Sequence, residues 1–177
     1  MTAYFRRNVA LATLACLCCC FATAAWAGRA DTGAPYDPLT ERLGPLRLGM
    51  PEAEVLRRIA CPPRKGREVH EGATGDYVQN WHMQGCGLTL KMAGPRRGGP
   101  KSVAAITATA PCRLATGRGV GIGADAAAVT AAYGRFKDEE GLSKPGETFI
   151  AGSIYGGLIV TFENGRVAEI FLGAAAE

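Results

Sequence analysis

The sequence predicts an α+β fold built from two tandem repeats, each a short helix packed on an antiparallel β-sheet. The stretch 48–59 (LGMPEAEVLRRI) returns in weaker form at 122–133 (IGADAAAVTAAY), each time as a strand end, a glycine turn and a helix. Each copy is followed by alternating apolar and polar residues separated by turn residues, as in a β-hairpin. The two repeats are therefore assigned to residues 44–112 and 113–177.

In the first repeat the helix is predicted over 51–59. Pro51 suits a first helical position, and Glu52 and Glu54 lie near the positive end of the helix dipole. The apolar stripe at helical spacing consists of Ala53, Val55, Leu56 and Ile59. Strands are predicted at 44–48, 77–83, 88–92 and 103–109.

The second repeat follows the same order of elements. A strand at 119–122 leads to Asp125, a good N-cap residue, and to a helix over 126–133 that ends at Gly134. The remaining strands are predicted at 149–155, 158–162 and 167–172, the last two joined by a tight Asn164-Gly165 turn. The sequence leaves open whether the two repeats share one continuous sheet.

The N-terminus has the pattern of an export signal. Arg6 and Arg7 precede an apolar stretch at 9–25, and Ala25-Trp26-Ala27 is a small-x-small cleavage motif. We therefore predict a signal peptide over 1–27, cleaved after Ala27, and a periplasmic or secreted mature chain. Residues 28–43 are predicted to be a flexible arm, and no transmembrane segment is expected in the mature chain.

Four cysteines lie within this leader. They are Cys16, Cys18, Cys19 and Cys20. Lipidation of one of them would tether the protein to a membrane. The alternative localisation is therefore a lipid anchor in the envelope, with a role as an envelope assembly factor.

Three cysteines remain in the mature chain, and an oxidising compartment favours a disulfide between two of them. Cys61 ends the first helix, and Cys86 lies in the hairpin expected to pack beneath it. We predict a Cys61–Cys86 disulfide and a free Cys112.

The composition argues against several function classes. The formal net charge of +4 in 177 residues is too weak to indicate nucleic-acid binding. No serine lies in a Gly-x-Ser-x-Gly elbow, and no cofactor motif is present, so the protein is predicted not to be an enzyme. The alternative is a small metal-dependent hydrolase centred on His70, Asp76 and His82.

Protein binding is better supported, because a sheet with helices on one face leaves the other face open. If the helices cover Leu88 and Leu158, the side chains that point away are Thr89, Lys91, Ile159, Thr161 and Glu169. The candidate binding residues are Tyr77, Trp81, Lys91 and Tyr155, since exposed aromatics often anchor interfaces. Tyr77 and Trp81 share one strand face, and the alternative is that both belong to the core.

Two short motifs resemble a known module. Leu48-Gly49-Met50 with Glu54-Val55, and Ile122-Gly123 with Val129, resemble the SmpA/OmlA (BamE) outer-membrane lipoprotein module. The tandem arrangement over 44–172 resembles the β-lactamase inhibitor protein family. The motif residues are structural, so the resemblance assigns no functional residue. It implies a small exported protein that binds or inhibits another envelope or exported protein.

Overall fold

The computed structural model describes residues 33–176 of the chain. The predicted signal peptide, its four cysteines and the first residues of the predicted arm lie outside the described residues. Within residues 33–176, no helix has both the length and the apolar character needed to cross a membrane.

The fold is α+β, with short helices and a large antiparallel sheet. The helices are α1 (Glu52–Arg58) and α2 (Ala126–Tyr133), and a 3₁₀ turn (Gly134–Phe136) follows α2. The strands are β1 (Pro63–Lys65), β2 (Val69–His70), β3 (Tyr77–Met83), β4 (Leu88–Gly94), β5 (Ser102–Thr109), β6 (Thr148–Ser153), β7 (Gly156–Glu163) and β8 (Arg166–Gly173).

The eight strands form one continuous sheet. Its order is β1-β3-β4-β5-β8-β7-β6, with β2 beside β1 on the same edge of β3. The meander β3-β4-β5 and the meander β6-β7-β8 meet where β5 pairs antiparallel with β8, from Ile106↔Leu172 to Thr109↔Glu169. The sequence left open whether the two parts of the chain share one sheet, and the structure shows that they do.

Helix α1 is a two-turn helix held by a narrow apolar stripe. Val55 is fully buried, and Ile59, the residue that caps the C-terminus of α1, is nearly so. Leu56, in contrast, is 47% exposed. The predicted stripe was therefore too wide: in so short a helix, only the positions one turn apart face the sheet. Pro51 is the N-cap in extended conformation, one position before the helix.

Helix α2 begins as predicted, with the Asp125 side chain accepting a hydrogen bond from the Ala128 amide at 2.8 Å. Val129 and Tyr133 are its buried residues. The end differs from the prediction. Gly134 has a right-handed conformation (φ −53°), so the chain continues into the 3₁₀ turn instead of stopping.

The predicted strands at 44–48 and 119–122 are turns with isolated bridges. Each nevertheless leads to a glycine whose amide bonds to the last strand of its own half. Gly49 donates to the Val103 carbonyl and Gly123 to the Val167 carbonyl, both at 2.8 Å. The residue after each glycine, Met50 or Ala124, accepts from the same valine, at 2.9 and 2.8 Å. In each half, one such pair of hydrogen bonds therefore fixes where the helix begins.

The end of the predicted arm is packed against the second half of the chain. Glu41 is 7% exposed, and its carboxylate accepts hydrogen bonds from the Tyr133 hydroxyl and the Gly117 amide, both at 2.9 Å. Tyr36 packs edge-on against Phe136, with ring centroids 5.6 Å apart. Burial raises the pKa of the Tyr36 and Tyr133 hydroxyls, so both remain neutral donors. From Tyr36 onward, this segment is part of the fold.

A second polar cluster fixes the loop between β4 and β5. The Lys101 ammonium group is almost fully buried and forms an ion pair with Glu68. Both Glu68 carboxylate oxygens also accept from the Gly98 amide, at 3.1 and 3.0 Å. Two hydrogen bonds hold the pKa of Glu68 below its usual value: the one from Lys101 has the larger effect and the one from Gly98 the smaller.

This cluster predicts a defined pH dependence of stability. Because the pKa of Glu68 is lowered by folding, its contribution is complete above the pKa of an unfolded glutamate, about 4.3. It is lost as the pH falls through the lower folded value. Glu68→Gln should therefore lower the melting temperature at neutral pH, and the difference from wild type should disappear in acid. Thermal scans across pH measure this, with the exposed Glu139→Gln as control; a difference that persists unchanged in acid would contradict the assignment.

Candidate functional site

The two faces of the sheet differ in burial. On β4, Leu88, Leu90 and Met92 are buried, while Thr89 and Lys91 between them are half-exposed. The buried set belongs to the same core cluster as the helix residues Val55, Val129 and Tyr133. The residues predicted to point away from the helices, Thr89, Lys91, Ile159, Thr161 and Glu169, all lie on the opposite face and are half-exposed. We call this surface the open face.

One line of side chains crosses the open face from β3 to β6. The strand register places six residues directly opposite one another in sequence: His82, Thr89, Thr107, Phe171, Ile159 and Ile150. Directly opposite residues share a face of the sheet. With about 4.8 Å between strands, this central row is about 24 Å long. It is polar at the His82 end and apolar from Phe171 onward, and its last residue, Ile150, is only 3% exposed.

Charged and polar groups flank the central row. The Lys91 ammonium forms an ion pair with Glu71 Oε1 at 2.7 Å, and the Lys91 side chain is 32% exposed. His82 Nδ1 lies 3.1 Å from Thr89 Oγ1. On the other side of the row, Glu169 stands between Thr109 and Thr161. The open face thus has an apolar part, at Phe171 and Ile159, bordered by groups that can form hydrogen bonds, and protein interfaces combine apolar and polar groups in this way.

Trp81, a candidate binding residue, lies in the core with no exposed surface. Its indole N–H donates to Gln79 Oε1 at 2.9 Å, and Lys65 Nζ lies 4.0 Å from the ring centroid. The alternation along β3 points Trp81 toward the helices, so its ring is not available to a partner. Trp81 could have been a binding residue or a core residue, and in the structure it is a core residue. Tyr77, on the same strand, is half-buried and packs edge-on against His70 at 5.1 Å.

Tyr155 lies at the tip of the β6–β7 hairpin and is 62% exposed. The packed end of the arm lies beside this tip: Pro38 Cγ is 3.7 Å from where a Cβ at Gly156 would stand. Leu39, the residue after Pro38, is 68% exposed. Sequence reasoning identified Tyr155 but missed Leu39, because the segment that carries it was assigned to a flexible arm.

The proposed metal ligands do not come together. His70 is paired with Tyr77 across β2 and β3, whereas His82 lies five positions farther along β3. That separation is about 17 Å at the usual rise of a strand. Asp76 immediately precedes β3, at the His70 end. In the part of the chain from 33 to 176, no group of three or more His, Cys, Asp or Glu residues is placed to hold a metal ion.

The cysteines are arranged as the sequence predicts. Cys61, just after α1, forms a disulfide with Cys86 in the β3–β4 turn, and their Cα atoms are 6.2 Å apart. Cys112 is a free, buried thiol. The bridge ties the end of α1 to the sheet.

Comparisons with protein-family models, with curated proteins and with solved structures found no match for this chain. The resemblance to the outer-membrane lipoprotein module and to the inhibitor family stays a hypothesis that rests on the motifs quoted above.

Because Trp81 is buried and Tyr155 is exposed, truncating them to alanine should have very different effects on the free energy of unfolding. Trp81→Ala removes a fully buried ring and should lower the free energy of unfolding by about 3–5 kcal/mol. Tyr155→Ala changes an exposed side chain and should alter it by no more than about 0.5 kcal/mol. Urea denaturation of both variants measures this. Equal losses in the two variants would show that the placement of Trp81 in the core is wrong.

Proposed function

We propose that this protein is an exported, non-enzymatic module that binds or inhibits another envelope or exported protein through its open face. The observation that carries the proposal is the central row, which extends across six paired strands with its side chains opposite the helices. Five of its six residues, from His82 to Ile159, are exposed or half-exposed, and a surface of this width is suited to a broad contact with a protein.

The chemistry of the open face supports a protein as the partner. Phe171 and Ile159 are direct neighbours across β8 and β7, and both are half-exposed. Apolar side chains at the centre of an interface, surrounded by polar ones, are the usual source of binding energy. Around them, Thr107, Thr161 and Glu169 supply hydrogen-bonding groups that can fix the orientation of the partner.

The proposal includes a tandem origin for the two halves. In each half, a glycine amide and the following carbonyl bond to one valine of the last strand: Val103 in the first and Val167 in the second. The last strands, β5 and β8, are the two that pair at the middle of the sheet. These correspondences support two copies of one helix-and-meander unit, with the open face formed by both.

The partner surface can be tested by site-specific photo-crosslinking. A photo-reactive amino acid at Ile159, on the open face, is compared with one at the exposed Arg57 on α1, in cells that express the full chain. We expect a discrete crosslinked protein from Ile159 and none from Arg57. The reverse pattern would contradict the proposal.

The captured protein is then purified and its affinity for matched variants is measured. Thr161→Arg places a large cation on the open face, while Thr130→Arg makes the same change on the exposed side of α2. The first should weaken binding by about tenfold or more, equivalent to about 1.4 kcal/mol, and the second should have little effect. Equal loss in both variants would place the contact elsewhere.

Export and anchoring are tested by the intact mass of the protein isolated from cells. Cleavage after Ala27 gives an unmodified chain that begins at Gly28. A diacylglyceryl group on a leader cysteine would add several hundred daltons and retain more residues. The second result would favour the envelope assembly factor, and a chain that still begins at Met1 would contradict both localisations.

A further inference from the structure

The three cysteines within residues 33–176 line one cleft. This cleft, of about 450 Å³, lies between the end of α1, the β3–β4 turn and the segment 111–114. Cys61 and Cys86, which form the disulfide, and Cys112, which carries the free thiol, are all among its lining residues. A thiol and a disulfide in one cleft are the two reactants of thiol–disulfide exchange.

The backbone brings Cys112 close to Cys86 in particular. A Cβ built on Gly87, the next residue after Cys86, would stand 2.7 Å from the Cys112 nitrogen. The Thr109 amide donates to the Gly87 carbonyl at 2.9 Å, and the Cys112 amide donates to the Thr109 carbonyl at 2.8 Å. With standard bond lengths, the Cα atoms of Cys86 and Cys112 are at most about 9.5 Å apart.

Disulfides join Cα atoms about 4.4–6.8 Å apart, so the backbone must close a gap of no more than about 2.7 Å to reach this range. Cys86 lies between Gly85 and Gly87, which have φ angles of +77° and +62°. Glycines in this conformation can change their backbone angles at low cost. Backbone rotation at these two glycines is therefore the movement that would bring Cys86 toward Cys112.

We propose that this cleft is a site of intramolecular thiol–disulfide exchange. The Cys112 thiolate attacks Cys86 Sγ, the Cys86–Cys61 bond breaks, and a Cys86–Cys112 bond forms. Cys61 leaves as a thiolate and takes up the proton that Cys112 lost, so one disulfide and one thiol are conserved and no oxidant is needed.

The exchange changes which thiol can be reached from outside. Cys112 is 7% exposed, whereas Cys61 is half-exposed. In the exchanged form, Cys61 is a reactive thiol at the end of α1, and the helix loses its covalent tie to the sheet. The substrate class of this site is therefore a disulfide, first the protein's own Cys61–Cys86 bond and then an external disulfide. In that second exchange the Cys61 thiolate attacks one sulfur of the external disulfide, a mixed disulfide forms, the external S–S bond breaks and its other sulfur leaves as a thiolate.

The test maps thiols in the folded, full-length mature protein. The wild type is incubated at mildly alkaline pH with a trace of a small thiol, quenched by acid, alkylated and digested for mass spectrometry. We expect a Cys86–Cys112 peptide together with alkylated Cys61. Alkylation confined to Cys112 at every time point would overturn the proposal.

Single serine variants give an independent result. Cys61→Ser leaves Cys86 and Cys112, which should close an intramolecular disulfide under mild oxidation. Cys112→Ser leaves the native pair and serves as the positive control for closure, while Cys86→Ser tests whether Cys61 and Cys112 pair without the turn. Oxidation that closes the native pair in Cys112→Ser but leaves two free thiols in a folded Cys61→Ser would overturn the proposal. If that variant does not fold, the wild-type map decides.

Discussion

The pairing of β5 with β8 is the contact on which the rest of the structure depends. Each half contributes one helix of seven or eight residues, and helices this short depend on tertiary packing for their stability. Joined at this seam, the two halves share a core in which Ile106 and Leu172 are direct cross-strand neighbours. The approach is close: a Cβ on Gly173 would stand 2.7 Å from the Ala105 Cβ, so a glycine is needed there.

The same seam creates the open face. Thr107 on β5 and Phe171 on β8 are opposite each other, and they connect the polar half of the central row to its apolar half. Without this pair, the face would be two narrow strips, each three strands wide. The pairing that completes the core therefore also sets the width of the surface that we propose as the binding site.

Local patterns in the sequence predicted much of this fold. The alternation in 88–92 and the Asn164-Gly165 turn, in which both residues have positive φ, depend on neighbouring residues alone. Long-range contacts were not predictable in this way. Glu41 was assigned to a flexible arm because its main partner, Tyr133, lies 92 positions away. Trp81 could be placed on a strand face, but the sequence could not tell which face the helices cover.

Three ties that hold the fold together involve no residue of the central row. The Cys61–Cys86 bridge fixes the end of α1, and Glu41 fixes the arm against α2. The Lys101–Glu68 pair fixes a loop between strands. Side chains such as Ile159 and Thr161 are half-exposed and stand outside these clusters, so changing them costs little stability. Binding specificity can evolve on a surface whose residues can vary without unfolding the protein. This separation of stability from surface chemistry supports the proposal that the open face is the binding site.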